Sequence, residues 1–145
     1  MRNKFLTDSQ ITAVEQAIGQ AEKKTSGEIR VRLEPRCLSN PVKRTVTVFY
    51  KLGMDKTKNQ TGVLVYVAHK SGKIAIVGDK GINEAVGEGF WNGIIANLST
   101  SFSCGERQKG LCYAVLAVGE ALKQYFPYQD DDENELPNEI SVGRL

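Results

Sequence analysis

Val63-Leu64-Val65-Tyr66-Val67-Ala68 restricts this chain more than any other stretch, because six residues in unbroken succession are apolar. A strand with one face in water alternates apolar and polar residues. A short run apolar on both faces needs cover on both, as in a central strand with helices on each side. Ser71-Gly72 is a turn signal, and Lys73-Ile74-Ala75-Ile76-Val77-Gly78 returns as the hairpin partner. Upstream, Glu28-Ile29-Arg30-Val31-Arg32-Leu33-Glu34 alternates without a break and stops at Pro35. It reads as a half-buried strand with Ile29, Val31 and Leu33 facing inward.

The connections read as helices. Thr7-Asp8-Ser9-Gln10 is a capping box, and Ile11, Val14, Ile18 and Ala21 then form one apolar stripe up to Ser26-Gly27. Asn40-Pro41 opens a second helix with Pro41 at its first position. Val42, Val46, Phe49 and Gly53 keep helical spacing there, although Thr45-Val46-Thr47-Val48 is a β-branched run that favours strand. Helix is preferred because it supplies the crossover between two strands. Val86, Phe90, Ile94, Ile95 and Leu98 give one face of a third helix, broken at Ser103-Cys104-Gly105. Leu111, Val115, Val118 and Leu122 stripe the longest, which Pro127 ends. Two strands joined through a helix are parallel with a right-handed crossover, and the hairpin adds an antiparallel third. The expected fold class is α/β: a three-layer α/β/α sandwich on a small mixed β-sheet.

At 145 residues the chain is one domain's worth. No apolar run is long enough to span a membrane, and the first residues reach Asp8 without an apolar h-region. With the odd count of three cysteines, this favours reduced thiols and a cytoplasmic location. The net charge of +2 conceals an asymmetry: residues 129–145 hold six acids against Arg144 alone, net −5, so the rest carries +7. The expected division is a domain over residues 1–128 and an acidic C-terminal tail over 129–145. Three readings of that asymmetry stand: a solvated terminus, a tail that docks on the basic body or binds a cation, and a nucleic-acid surface. Scattered basic residues without aromatic interleaving argue against nucleic acid. Leu136 and Pro137 are poor choices for a solvated segment, so the tail is expected to be partly docked through Leu136.

There is no GxGxxG, Walker loop, GxSxG or HExxH, and a single histidine, His69, beside the hairpin turn. His69 reads as a surface turn residue. One constellation stands out. Gly78-Asp79 ends a buried strand and Glu84 follows in the first turn of the next helix. Glycines let the backbone turn with its carbonyls exposed, and carboxylates with carbonyls are what a hard cation needs. Asp79 is the first candidate ligand, Glu84 the second and Asp55 a third. Asp79 as a turn cap and Glu84 as a helix N-terminal acid explain the same residues without a metal. The acidic tail fails as an EF-hand, having Glu135 where glycine is needed and Ser141 where a bidentate glutamate is needed. Docking of the tail brings Glu135 toward the strand ends as a further candidate.

Several motifs in order carry a resemblance: Phe5-Leu6-Thr7, Thr25-Ser26-Gly27-Glu28-Ile29-Arg30-Val31, Phe49-Tyr50-Lys51-Leu52-Gly53-Met54 with Thr57, Gly62-Val63-Leu64-Val65-Tyr66, Gly78-Asp79-Lys80-Gly81-Ile82, Phe90-Trp91 and Asn134-Glu135-Leu136-Pro137. Together, over about residues 5–138, they resemble the TPM domain family. The nearest branch is the short bacterial form without transmembrane helices, often encoded beside a LemA-type membrane protein. The resemblance implies an α/β/α sandwich, an association with calcium and, from plant thylakoid-lumen members tied to photosystem II repair, a proposed acid phosphatase activity. Thr61 replaces the branch's usual Asn before Gly62, and Asn138 stands where an acid is common. The expected function is a non-enzymatic, monomeric module that binds Ca²⁺ or Mg²⁺. It would reach the membrane through a LemA-type protein. The alternative is a metal-dependent acid phosphatase.

Overall fold

A computed structural model describes residues 5–129 and 137–143. The capping box forms as expected: Thr7 Oγ1 accepts from the Gln10 N–H while Gln10 Oε1 accepts from the Thr7 N–H, opening helix α1 (Asp8–Glu22). Strand β1 (Glu28–Glu34) follows, then helix α2 (Pro41–Lys51), capped by Asn40 with Pro41 at its start. Two 3₁₀ turns, Met54–Lys56 and Lys58–Gln60, lead into strand β2 (Gly62–Ala68), and the Ser71-Gly72 turn into strand β3 (Lys73–Gly78). Helices α3 (Lys80–Val86), α4 (Asn92–Ser103) and α5 (Arg107–Tyr125) precede a short strand β4 (Ser141–Val142).

The sheet order is β3-β2-β1-β4. β1 runs parallel to β2 with Val31 opposite Val65, and β2 runs antiparallel to β3 with Val65 opposite Ile76. This is the α/β fold with a mixed sheet expected from the strand pattern. On one face, Ile29, Val31, Leu33, Val63, Val65 and Val67 pack against residues of α1, α4 and α5 such as Ile18, Leu98, Val115 and Leu122. On the other, Leu64 meets Val48, Phe49 and Met54, which α2 and the turn after it supply.

Four details differ from the sequence expectation. The stripe of α2 that faces the sheet is Thr45, Val48 and Phe49, whereas Val42 and Val46 are exposed. The expected third helix is two, because Gly87 and Gly89 take φ of 86° and 78° and break it. β1 is buried on both faces, its charged side included. β4 was not foreseen. It pairs parallel to β1, with Arg32 opposite Ser141, and the Gly143 N–H donates to Leu33 O at 2.8 Å. Ile140 is buried beside it, its N–H donating to Glu15 Oε2 at 2.9 Å. Leu136, the expected docking residue, lies outside the described residues.

Candidate functional site

Where β3 ends, the chain turns through Gly78-Asp79 into α3. Asp79 caps that helix: Oδ1 accepts from the Lys80 N–H at 2.8 Å, and the Asp79 carbonyl accepts from the Asn83 N–H at 3.0 Å. Its own N–H donates to Gly62 O at 2.8 Å, tying the turn to β2. The second carboxylate oxygen, Oδ2, is buried and has no hydrogen-bond partner. A buried acceptor left unsatisfied costs about 1–3 kcal/mol, and more when charged. That oxygen calls for a cation or donor.

The loop before β2 supplies the complement. Asn59 and Gln60 sit in the left-handed region, at φ of 65° and 55°. That conformation is costly for residues with a side chain and is held by its surroundings. Gly81, in the first turn of α3, lies so close that a Cβ there would collide with the carbonyl oxygens of both. Two carbonyls thus converge on the turn that Asp79 opens, and carboxylate with carbonyl oxygen is a hard-cation donor set. The turn is braced from behind. A Cβ on Gly78 would fall 2.8 Å from Asn83 Oδ1, which accepts from Trp91 Nε1 at 3.2 Å. The turn thus carries one carboxylate oxygen without a partner and, against Gly81, two backbone carbonyls.

Among the described residues, Asp79 belongs to no group of three acidic, His or Cys side chains. Glu84 is exposed and falls in the second turn of α3, five residues on and so roughly 140° around the axis from the cap. Asp55 is exposed in the 3₁₀ turn Met54–Lys56, whose Met54 carbonyl lies against Gly62 at this end of β2. Glu135 lies outside the described residues. Among the described residues, no three His, Cys, Asp or Glu side chains form a metal-holding group.

Two further ionisable clusters escaped sequence reading. At the start of β1, Glu22 and Glu28 are paired. Burial drives the Glu22 carboxyl up, the Ile29 N–H donating to Oε2 at 2.8 Å opposes this, and the charge of Glu28 and a hydrogen bond to it add, giving a value of about 8. Glu28 is only 3% exposed. At the opposite end, Glu34 accepts from Arg44 Nη2 at 2.6 Å, Arg32 Nη2 at 2.7 Å and Tyr66 Oη at 2.7 Å. Burial by itself would raise the Glu34 carboxyl, but hydrogen bonds from Arg44, Tyr66 and Arg32 outweigh it and hold the group at about 2. With both oxygens engaged by cations and a phenol, Glu34 is a structural hub. Arg32 Nη1 also donates to Ser141 Oγ at 2.8 Å, linking the hub to β4.

Fold and site together define a small α/β domain with a carboxylate turn, Gly78-Asp79, at a sheet end. A TPM domain family model matches residues 2–121, so the chain belongs to the TPM domain family. It is similar to the BA42 protein of the psychrophilic bacterium Bizionia argentinensis, known by NMR, at 43% identity and a TM-score of 0.90 over 99% of each chain. It also shares its fold with the N-terminal domain of a P. gingivalis protein, at 20% identity and a TM-score of 0.70 over 85% of this chain and 80% of that one. The comparison with curated proteins finds no match. No described helix is long and apolar enough to cross a membrane.

Proposed function

We propose that this TPM domain is a non-enzymatic module that takes a hard divalent cation, Ca²⁺ or Mg²⁺, at the Asp79 turn and acts in the cytoplasm with a LemA-type membrane protein. The observation that carries the cation reading is the buried, unpartnered Oδ2 of Asp79. Asp79 is the carboxylate ligand, and the Asn59 and Gln60 carbonyls, which lie against Gly81 two residues further on, are the backbone oxygens offered beside it. A bound cation would neutralise Asp79 and tie α3 to the loop before β2. The acid phosphatase alternative asks for a metal-held nucleophile with further carboxylates or cations to stabilise developing charge. A turn with one carboxylate suits binding better. The partner rests on the resemblance to the LemA-associated branch.

Few charged ligands imply weak affinity, a Kd of about 0.1–1 mM as in extracellular calcium modules. At about 10 mM Ca²⁺, mass action then stabilises the native state by about 1.4–2.7 kcal/mol. Chelator-stripped protein should therefore melt roughly 3–10 °C higher with calcium than without it. Asp79→Asn keeps an oxygen for the α3 cap and should fold yet lose the shift. A wild-type melting curve indifferent to both ions, or a shift preserved in Asp79→Asn, overturns the reading.

A further inference from the structure

A groove of about 300 Å³ lies at the opposite end of the sheet, between the N-terminal segment, the β2–β3 turn and the start of α5. That volume is at the low end of ordinary small-molecule sites, about 300–1000 Å³. Its apolar wall is Ile74 and Phe102, both half-buried, with the buried Phe5 ring edge-on to Phe102 at 5.1 Å behind them. His69 stacks on Phe5 with ring centroids 4.9 Å apart. The Arg107 guanidinium lies 4.7 Å above the Phe5 ring, and its Nη1 donates to Phe5 O at 3.0 Å. That bond fixes the guanidinium plane and leaves other N–H donors of the fork unused. Among the described residues no carboxylate pairs with Arg107, and no acidic residue lines the groove. Lys73 also lines it, its ammonium held by the Cys37 and Ser39 carbonyls at 3.0 and 3.2 Å. α5 begins at Arg107, so its N-terminal dipole adds to the same positive field.

We propose that this groove binds a small organic carboxylate, with the acid group on Arg107 and His69 and its apolar body against Ile74 and Phe102. A guanidinium edge matches two carboxylate oxygens in its plane, and a neutral imidazole can donate one N–H. His69 is suited to that state. Burial lowers its pKa from the usual histidine value, and the Lys70 and Arg107 charges add to the effect. Those two and Lys73 are the charged groups facing it; α4, which closes the groove, carries none. An anion seated among them would offset their charge and raise the His69 pKa.

Benzoate is the probe, titrated into isotope-labelled protein and followed by amide and imidazole NMR. The expected result is saturable shifts around His69, Lys73 and Phe102 with a Kd near or below about 1 mM, together with a raised His69 pKa. Benzyl alcohol, which keeps the ring and lacks the charge, should bind at least about tenfold more weakly, a difference of about 1.4 kcal/mol. Arg107→Gln should weaken benzoate to a similar degree. Because Arg107 also packs on Phe5, Ser103→Asp gives a second test: it sets a negative charge at the exposed rim without touching that contact, and should weaken benzoate too. The proposal is overturned if benzoate does not saturate, if benzyl alcohol binds equally, if inorganic phosphate binds more tightly than benzoate, or if both variants bind benzoate as the wild type does.

Discussion

Replacing Glu34 by glutamine should lower stability by about 3 kcal/mol at pH 7, because breaking a buried ion pair leaves the partner's charge uncompensated. The Glu34 side chain is 3% exposed and that of Arg32 10%; Arg44, at 31%, recovers some hydration, which puts the loss at the lower end of the usual range. Chemical denaturation at pH 7 should read this directly, and the thermal midpoint should fall by roughly 6–12 °C. The pH dependence identifies the cause. The Glu34 carboxyl is held at about 2 in the folded chain against an ordinary 4.5, so its contribution is present above pH 4.5 and lost as pH falls toward 2. The gap between wild type and Glu34→Gln should therefore close across that acid window. A gap that persists unchanged at pH 2, or never exceeds about 1 kcal/mol at pH 7, would mean that Glu34 is not the hub. The same variant should loosen β4, since Arg32 holds both Glu34 and Ser141.

Glu22→Gln should do the opposite. The Glu22 carboxyl is raised to about 8 when folded against an ordinary 4.5, so the folded chain keeps a proton that the unfolded chain gives up. Below pH 4.5 both states are protonated and nothing is lost. As pH rises toward 8 the unfolded state gains stability, at about 1.36 kcal/mol per pH unit, for a total of up to about 3 kcal/mol by pH 7. Glutamine mimics the protonated acid, keeps an oxygen for the Ile29 N–H and does not titrate. The variant should match the wild type near pH 4 and exceed it by about 1–3 kcal/mol at pH 7. Equal stability of the two across pH 4–8 would show that the Glu22–Glu28 pair does not share its environment as described.

The strands were legible because their signals are local. The unbroken run of β2, the turn before β3 and the alternation of β1 each specify an element by themselves, and each sits where the pattern places it. The capping box of α1 is equally local. What sequence reading lost depends on residues far apart in the chain. Alternation in β1 implied a wet face, but Arg44 of α2 and Ser141 of β4 bond to its charged side chains, and Glu34 is held by Arg32, Arg44 and Tyr66. β4 pairs through two residues of backbone, which leaves no side-chain pattern; its signals are Ile140 and the glycine at 143, where a side chain would meet the Arg32 guanidinium. At the candidate site, Asp79 was visible because a carboxylate after a strand-ending glycine is a recognisable pattern. The carbonyls of Asn59 and Gln60 were not, since backbone oxygens carry no residue signature and a left-handed φ, common enough for asparagine, is unusual for Gln60. Glu84 was expected in the first turn of the helix, but α3 starts at Lys80, which places it in the second.

A divalent cation seated at the Asp79 turn would perturb the amides around it. A titration of isotope-labelled, chelator-stripped protein with Ca²⁺ and then Mg²⁺, followed by amide NMR, tests it most directly. Saturable shifts confined to residues 59–61 and 79–84 are expected, and they should vanish in Asp79→Asn. Shifts that appear instead at Glu22 and Glu28 or along residues 130–135, or no saturable shift at all, would contradict it.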